Sequence, residues 1–430
     1  MIHPTVSGGE NFSLSDFFPS RACDSVEDRI RPFLAYYETE KQSGSVSYQR
    51  EILSAMGPVV QIKTAEYPQG KEMLMLGSNN YLGFANDPDI LSAVTNAMEA
   101  YGAGVAGPSL LNGTHALHRK LEREIAKLKG CEDCILFPSG YQANLGWIDG
   151  LVHSGDAVLY DAYCHASVID GLSLKRSRAK ITTRKFSHND CNHLHLLLQE
   201  LRRGEIRRQI FVCVEGLYSM EGDMAPLPEI SSLCKEYGAF LIVDDAHSTG
   251  ILGDHGGGVC DFFHLTGQIP LLMGSFSKTF ALTGGFVASS HNICQYLRYF
   301  SRPYLFSAHL PLTSTAAILA GVKKITLQPE MRLQLRQKIA YFCHRMQEVG
   351  IKIHSHSPIV PIPIPATINI RKLNCALHDR GLFVNSIEYP AVAQEAQKLR
   401  VSLMVHHTYE MLEKAVEIFS DVFRSFGLCQ

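Results

Sequence analysis

The chain has no surplus of positive charge: forty Lys and Arg face forty-two Asp and Glu over 430 residues. No nucleic-acid partner is expected, because phosphate backbones are held by clustered cations. The opening MIHPTVSGGENFSLSDFF lacks a basic stretch followed by an apolar core, so no secretory leader is expected there. Twelve Cys are scattered without a framework, which points to reduced thiols and a cytoplasmic location. The lone CxxC, Cys131 with Cys134, has no second pair at zinc-ligand spacing, so no metal is expected. An internal repeat is also missing. Charged residues amount to 19% and hydrophobic ones to 46%, the balance of a globular chain. Its length exceeds what one core usually fills, so two domains are expected.

Short apolar runs recur from about Met73 onward. DCILF, DAVLY, QIFVCV, AFLIV and PLLMG read as buried strands. Helical patterns separate them; in THALHRKLEREIAKLKG, Leu117, Leu121, Ile125 and Leu128 share a face and Gly130 can end the helix. Such alternation predicts an α/β fold with a mainly parallel sheet flanked by helices. After Pro311 the texture changes. MRLQLRQKIAYFCHRMQEVG is amphipathic, SPIVPIPIPATINI is Pro-rich, and TYEMLEKAVEIFSDVFRSF is a second amphipathic helix. The expected division is an arm with a short helix over 1–65, a large domain over 66–310 and a smaller α+β domain over 311–430.

The stretch Gln268 to Ser290, QIPLLMGSFSKTFALTGGFVASS, holds one charged residue, Lys278. A membrane span is not expected, because Pro270, the Gly284-Gly285 pair and the hydroxyls of Ser275, Ser277, Thr279, Thr283, Ser289 and Ser290 interrupt it. The other reading is a lysine kept in a dry pocket for its chemistry. Burial disfavours the ammonium and frees the amine to form a Schiff base.

Two further stretches support that reading. LIVDDAHSTG runs from an apolar strand into Asp244, Asp245 and His247, where open α/β sheets bind ligands. A helix-capping Asp would look the same. Yet Asp can keep a pyridine nitrogen protonated, Lys can hold an aldehyde, and His can bond a phenolic oxygen, which are the needs of pyridoxal phosphate. FPSGYQANLG leads from strand to helix through Ser139, Gly140 and Tyr141, a candidate phosphate cradle at a helix N-terminus. Ser275 and Ser277 can add hydroxyls.

From about Gly57 to the C-terminus the chain resembles the α-oxoamine synthases. These fold-type-I pyridoxal-phosphate enzymes include serine palmitoyltransferase, 8-amino-7-oxononanoate synthase, 5-aminolevulinate synthase and 2-amino-3-ketobutyrate CoA ligase. The matching stretches are LGSNNYLGF, SGYQAN, DAYCHASVIDG, FSHND, EGLYSMEGDMAPL, VDDAHSTGILGDHGGG, GSFSKTF and KLRVSLMVHHT. The resemblance implies condensation of a small amino acid (serine, alanine or glycine) with an acyl thioester, with loss of carbon dioxide. It makes Lys278 the Schiff-base lysine and Asp244 the partner of the pyridine nitrogen, with Asp245 at a position where a second acid is usual. It stacks His165 on the ring and sets His247 and Ser219 near the phenolic oxygen. Gly140, Tyr141 and Ser275 become phosphate contacts, and Ser307 a contact donated by the second subunit of a homodimer.

For the amino-acid carboxylate the resemblance offers Arg400 and Asn79, with Lys398 as the alternative cation. Departures occur at Ser109, where an arginine is frequent, and at Cys164, where an asparagine is frequent. LLNGT and MLGSNNYLG lean toward the serine palmitoyltransferase branch. An aminotransferase and a non-catalytic partner subunit remain as alternatives. The acyl carrier, coenzyme A or a carrier protein, stays open. His193, His195, His344 and His406 are read as ordinary packed or surface residues.

Overall fold

The structure, a computed structural model, describes residues 25–42, 48–64, 66–204, 208–388 and 391–429. Its described residues divide into two compact units, one within Asn79–Leu335 and the other joining those from Ser25 to Ser78 with those from Arg336 onward. The expected boundary stood at 310/311. The helix Leu312–Leu327 instead packs on Pro88–Tyr101 and Ala116–Lys129, within the Asn79–Leu335 unit.

That unit is built on seven strands. Their spatial order is Asp133–Phe137, Gly285–Ser289, Leu271–Ser275, Phe240–Asp244, Ile210–Glu215, Ala157–Asp161 and Thr182–Phe186. Only Gly285–Ser289 runs against the others. The apolar runs buried both faces of the strands for a simple reason: alternate side chains point to opposite sides. Leu159, Val212, Val214, Leu241 and Val243 pack on one face with Leu194, Leu198 and Ile230. Val158, Cys213, Ile242 and Met273 pack on the other with Trp147, Ile148 and Val168. Two strands escaped the sequence reading. Thr182–Phe186 lies at the sheet edge and is only partly buried, so it reads as polar. Gly285–Ser289 was read as part of the lysine's surroundings.

The other unit holds two three-stranded sheets. One contains Val59–Ile62, Lys71–Met75 and Leu382–Phe383; the second is antiparallel, with Lys398–Ser402 between Ile359–Pro363 and Asn385–Ile387. The Pro-rich stretch becomes an edge strand, where Pro361 and Pro363 need no second partner. The expected arm contains a 17-residue helix, Val26–Gln42, leading on to the strand Val59–Ile62. The helix Tyr409–Ser425 buries Leu412, Val416, Phe419 and Phe423. No helix among the described residues is long and apolar enough to cross a membrane.

Candidate active site

All parallel strands of the seven-stranded sheet end along one edge, and the expected residues follow those ends closely. Ser139 and Gly140 come after Phe137, His165 after Asp161, and Ser219 after Glu215. Asp244 and Ser275 are themselves last strand residues, with His247 and Lys278 three positions on. Parallel strands aligned this way bring sequence-distant loops to one place.

Asp244 is held rigidly. It is 5% exposed, and its carboxylate accepts from Asn144 Nδ2 at 2.9 Å and from the Ala246 N–H at 3.1 Å. The same amide donates to Ser167 Oγ at 2.9 Å, and Trp147 Nε1 fixes its oxygen at 2.9 Å. Ser167 Oγ lies 2.8 Å from His165 Nδ1, which also accepts the Ser167 N–H at the start of the helix Ala166–Arg176. One chain of hydrogen bonds therefore joins His165 to Asp244. Burial raises the Asp244 carboxyl, while Asn144, the charges of His165 and Lys278, and the Ala246 N–H favour its anion. The His165 ring is exposed and meets Tyr141 edge-on, with centroids 6.3 Å apart.

His247 is buried, with Nδ1 2.9 Å from the Tyr81 hydroxyl. Tyr81 donates to Asn79 Oδ1 at 3.1 Å. With the Tyr81 proton on Asn79, His247 Nδ1 is placed to donate to the tyrosine oxygen. Asn79 thus sits beside the histidine in the described structure.

The cradle forms where the helix Gly140–Leu151 begins. Ser139 caps it by accepting from the Gln142 N–H at 3.1 Å. The first-turn N–H groups point out of the helix end. A Cβ at residue 140 would meet Ser275 Cβ at 2.8 Å, so only Gly lets that hydroxyl-bearing strand end so close to the helix. Ser275 Oγ pairs with Ser277 Oγ at 2.7 Å. Ser307 Oγ accepts from Gln142 Nε2 at 2.9 Å, which brings it to the same helix turn.

Lys278 corrects one expectation. The apolar run is not a dry lining for the amine. Phe276 and Phe280 turn inward and are buried, while Lys278 is half-buried on the loop between Leu271–Ser275 and Gly285–Ser289. Asp245, next to Asp244, turns away into a wholly buried ion pair with Lys129. Ser219 gives its N–H to Glu215 Oε2 at 3.3 Å.

Arg400 and Lys398 lie on the strand Lys398–Ser402 of the other unit. Alternate residues share a face, so both point to the side of Ser402, and Arg400 Nη1 donates to Ser402 Oγ at 2.9 Å. Both are nearly buried, 4% and 5% exposed. Among the described residues no group of three or more His, Cys, Asp or Glu is arranged to hold a metal. Cys134 is buried in a strand and Cys131 is half-buried.

Three buried polar residues beside the candidate site were missed by the sequence reading: Asn144, Glu215 and Lys129. Asn144 stood inside the quoted SGYQAN, and Glu215 opened EGLYSMEGD; their burial beside Asp244 was not visible in either. The residues present fit pyridoxal phosphate. A fixed carboxylate, a reachable amine, an exposed imidazole face and a glycine-lined helix end converge on one sheet edge.

Aminotransferase class I and II is the family description that matches, over residues 71–419. The chain is 38% identical over 400 residues to the serine palmitoyltransferase of Sphingobacterium spiritivorum, covering 93% of this chain and 97% of that one. It is 36% identical over 360 residues to the 8-amino-7-oxononanoate synthase of Alkaliphilus metalliredigens, covering 84% and 90%. The solved serine palmitoyltransferase of Sphingomonas wittichii superposes with a TM-score of 0.88 at 30% identity, covering 94% of this chain and all of that one. The fold, the arrangement at the sheet edge and these likenesses make the chain a member of the aminotransferase class I and II family and, within it, a pyridoxal-phosphate-dependent α-oxoamine synthase.

Proposed function

We propose that the chain condenses serine with a long-chain acyl thioester, releasing carbon dioxide and the free thiol, in the manner of a serine palmitoyltransferase. The observation that carries the choice is the 38% identity to such an enzyme, spanning nearly all of both chains. Alanine with a shorter acyl thioester is the second reading, favoured by the 8-amino-7-oxononanoate synthase likeness.

Bound pyridoxal phosphate supplies an electron sink for a carbanion at the amino acid's Cα. Lys278 Nζ would be the amine that holds the cofactor's aldehyde, and as a free amine it would be the base for the amino acid's Cα proton. Asp244 would keep the ring nitrogen protonated, since a close anion favours the cation. Asn144 and Ala246 fix that carboxylate in one orientation before any substrate arrives. His165, exposed at the site, would stack on the ring, and His247 and Ser219 would serve the phenolic oxygen. Gly140, Tyr141 and Ser275 would hold the phosphate, with Ser307 of the partner subunit adding a contact. Arg400 receives the amino acid's carboxylate by a two-pronged pair, with Asn79 as helper and Lys398 as the alternative cation. Orientation of this kind can supply ~7–11 kcal/mol of a barrier.

The working form is a homodimer. Tyr299, Phe300 and Phe306, 55%, 56% and 73% exposed, precede Ser307 in sequence and offer apolar surface for a second copy. A reducing, cytoplasmic setting suits the eleven described Cys, all of them thiols.

The test is a product assay with Gly, Ala and Ser against acyl thioesters of several chain lengths. Serine with long chains should give the highest kcat/KM. Preference for alanine and a short dicarboxylic acyl group would overturn the first reading in favour of the second.

A further inference from the structure

We infer that Lys129 is a positioning residue of the cofactor site, acting through a buried polar network rather than by touching the cofactor. The inference rests on the pyridoxal-phosphate reading above and extends it to a residue outside the strand-end set.

Lys129 is the last residue of the helix Ala116–Lys129, a place where a basic side chain ordinarily reaches solvent. Here its side chain is fully buried. Its ammonium has three hydrogens and finds three acceptors: the Asp245 carboxylate, Thr249 Oγ1 at 2.7 Å and the Gly257 carbonyl at 2.8 Å. The Phe286 ring lies beneath it at 5.6 Å.

These three acceptors are not scattered. Asp245 and Thr249 flank His247, each two positions away, and Gly257 closes the far end of the same loop. Asp245 Oδ1 also accepts the Val259 N–H at 3.1 Å. Gly258, at φ 98°, is needed because a Cβ there would collide with the Asp245 carboxylate. Lys129 thus gathers both ends of the loop that follows Asp244 and carries His247.

The network continues to the lysine loop. Thr249 Oγ1 donates to the Asp245 carbonyl at 2.6 Å, and Thr279 Oγ1 donates to the Thr249 carbonyl at 2.8 Å. Thr279 is the neighbour of Lys278. One buried cation therefore sets the spacing between the carboxylate loop and the amine loop. An ammonium lost from this place leaves a buried carboxylate without its counter-charge, and the loop must move to find one.

The experiment compares wild type, Lys129→Met and Thr249→Val as purified proteins. The readouts are pyridoxal-phosphate affinity, the pH midpoint of its visible absorbance on the protein, and amide hydrogen exchange of the cofactor-free protein. Lys129→Met should weaken cofactor binding at least about tenfold, displace the absorbance midpoint, and speed exchange at Gly250, Gly258 and Val259. Thr249→Val should move each in the same direction by less, and it decides the matter if Lys129→Met does not fold. A lowered melting temperature with unchanged affinity and midpoint in the folded variant would leave Lys129 a stability residue and overturn the inference. Wild-type protein without visible absorbance would sink the pyridoxal-phosphate reading instead.

Discussion

Glu215 and Asp244 stand opposite one another in register on adjacent parallel strands, and both are buried. Two carboxyls so placed cannot both carry charge cheaply. Burial lifts Glu215 well above the usual carboxylate range, and the Asp244 charge pushes the same way. Glu215 Oε1 has no hydrogen-bond partner among the described residues. The two carboxyls therefore compete for one negative charge, and Asp244, with Asn144 and the Ala246 N–H donating to it, is the better placed to hold it.

Asp244→Asn should preserve the fold, because Asn fills the same space beside Asn144. It should lose condensation by about a hundredfold or more, the scale on which removal of one aligned electrostatic group acts. Steady-state turnover with saturating cofactor measures this. Turnover equal to wild type would remove Asp244 from its role beside the ring nitrogen.

Glu215→Gln tests the raised carboxyl. A carboxyl raised by folding favours the folded state fully below its unfolded value, near pH 4.5, and loses that contribution as pH climbs through the folded value. Gln has no proton to lose. The variant should therefore gain melting temperature relative to wild type progressively above pH 4.5. A difference that is flat with pH would mean Glu215 keeps its ordinary titration.

His188 gives a pH window of the same sign, placed higher on the scale. Burial disfavours its charge, but hydrogen bonds to Asp161 at 3.0 Å and Asp223 at 2.9 Å outweigh it and raise the group to about 9. The Tyr163 ring stacks on it at 4.3 Å. Its stabilising contribution is complete below pH 6.5 and lost between there and about pH 9. His188→Asn should show its largest melting deficit near pH 6, closing toward pH 9. A deficit that persists unchanged at pH 9.5 would show that packing, not charge, is what His188 provides.

What the sequence made legible follows from how each signal arises. Apolar strands such as AFLIV announce themselves because parallel strands bury both faces, and their ends locate Asp244 and Ser275 directly. Thr182–Phe186 stays hidden because an edge strand keeps polar residues. Lys129 and Asn144 stay hidden for another reason. A lysine closing a helix and an asparagine within one look like surface residues, and only the packing of distant segments shows them buried. The apolar run around Lys278 misled in the reverse sense, since its apolarity belongs to two buried strands and not to the amine between them.

The carboxylate clamp is the last test. Arg400 and Lys398 sit two apart on one strand and so present their side chains on one face. Charge alone does not choose between them. A guanidinium offers two parallel N–H donors to a carboxylate, whereas an ammonium acts as a point charge. Arg400→Lys keeps the charge and loses the fork. Charge-assisted hydrogen bonds contribute ~1.5–3 kcal/mol each, so the amino acid should bind roughly one to two powers of ten more weakly. Thioester affinity should change far less. Lys398→Ala is the paired control, read out by amino-acid titration of the cofactor absorbance in both variants. If Lys398→Ala is damaging and Arg400→Lys silent, the ammonium is the clamp, and the fork geometry of Arg400 serves Ser402 and the strand instead.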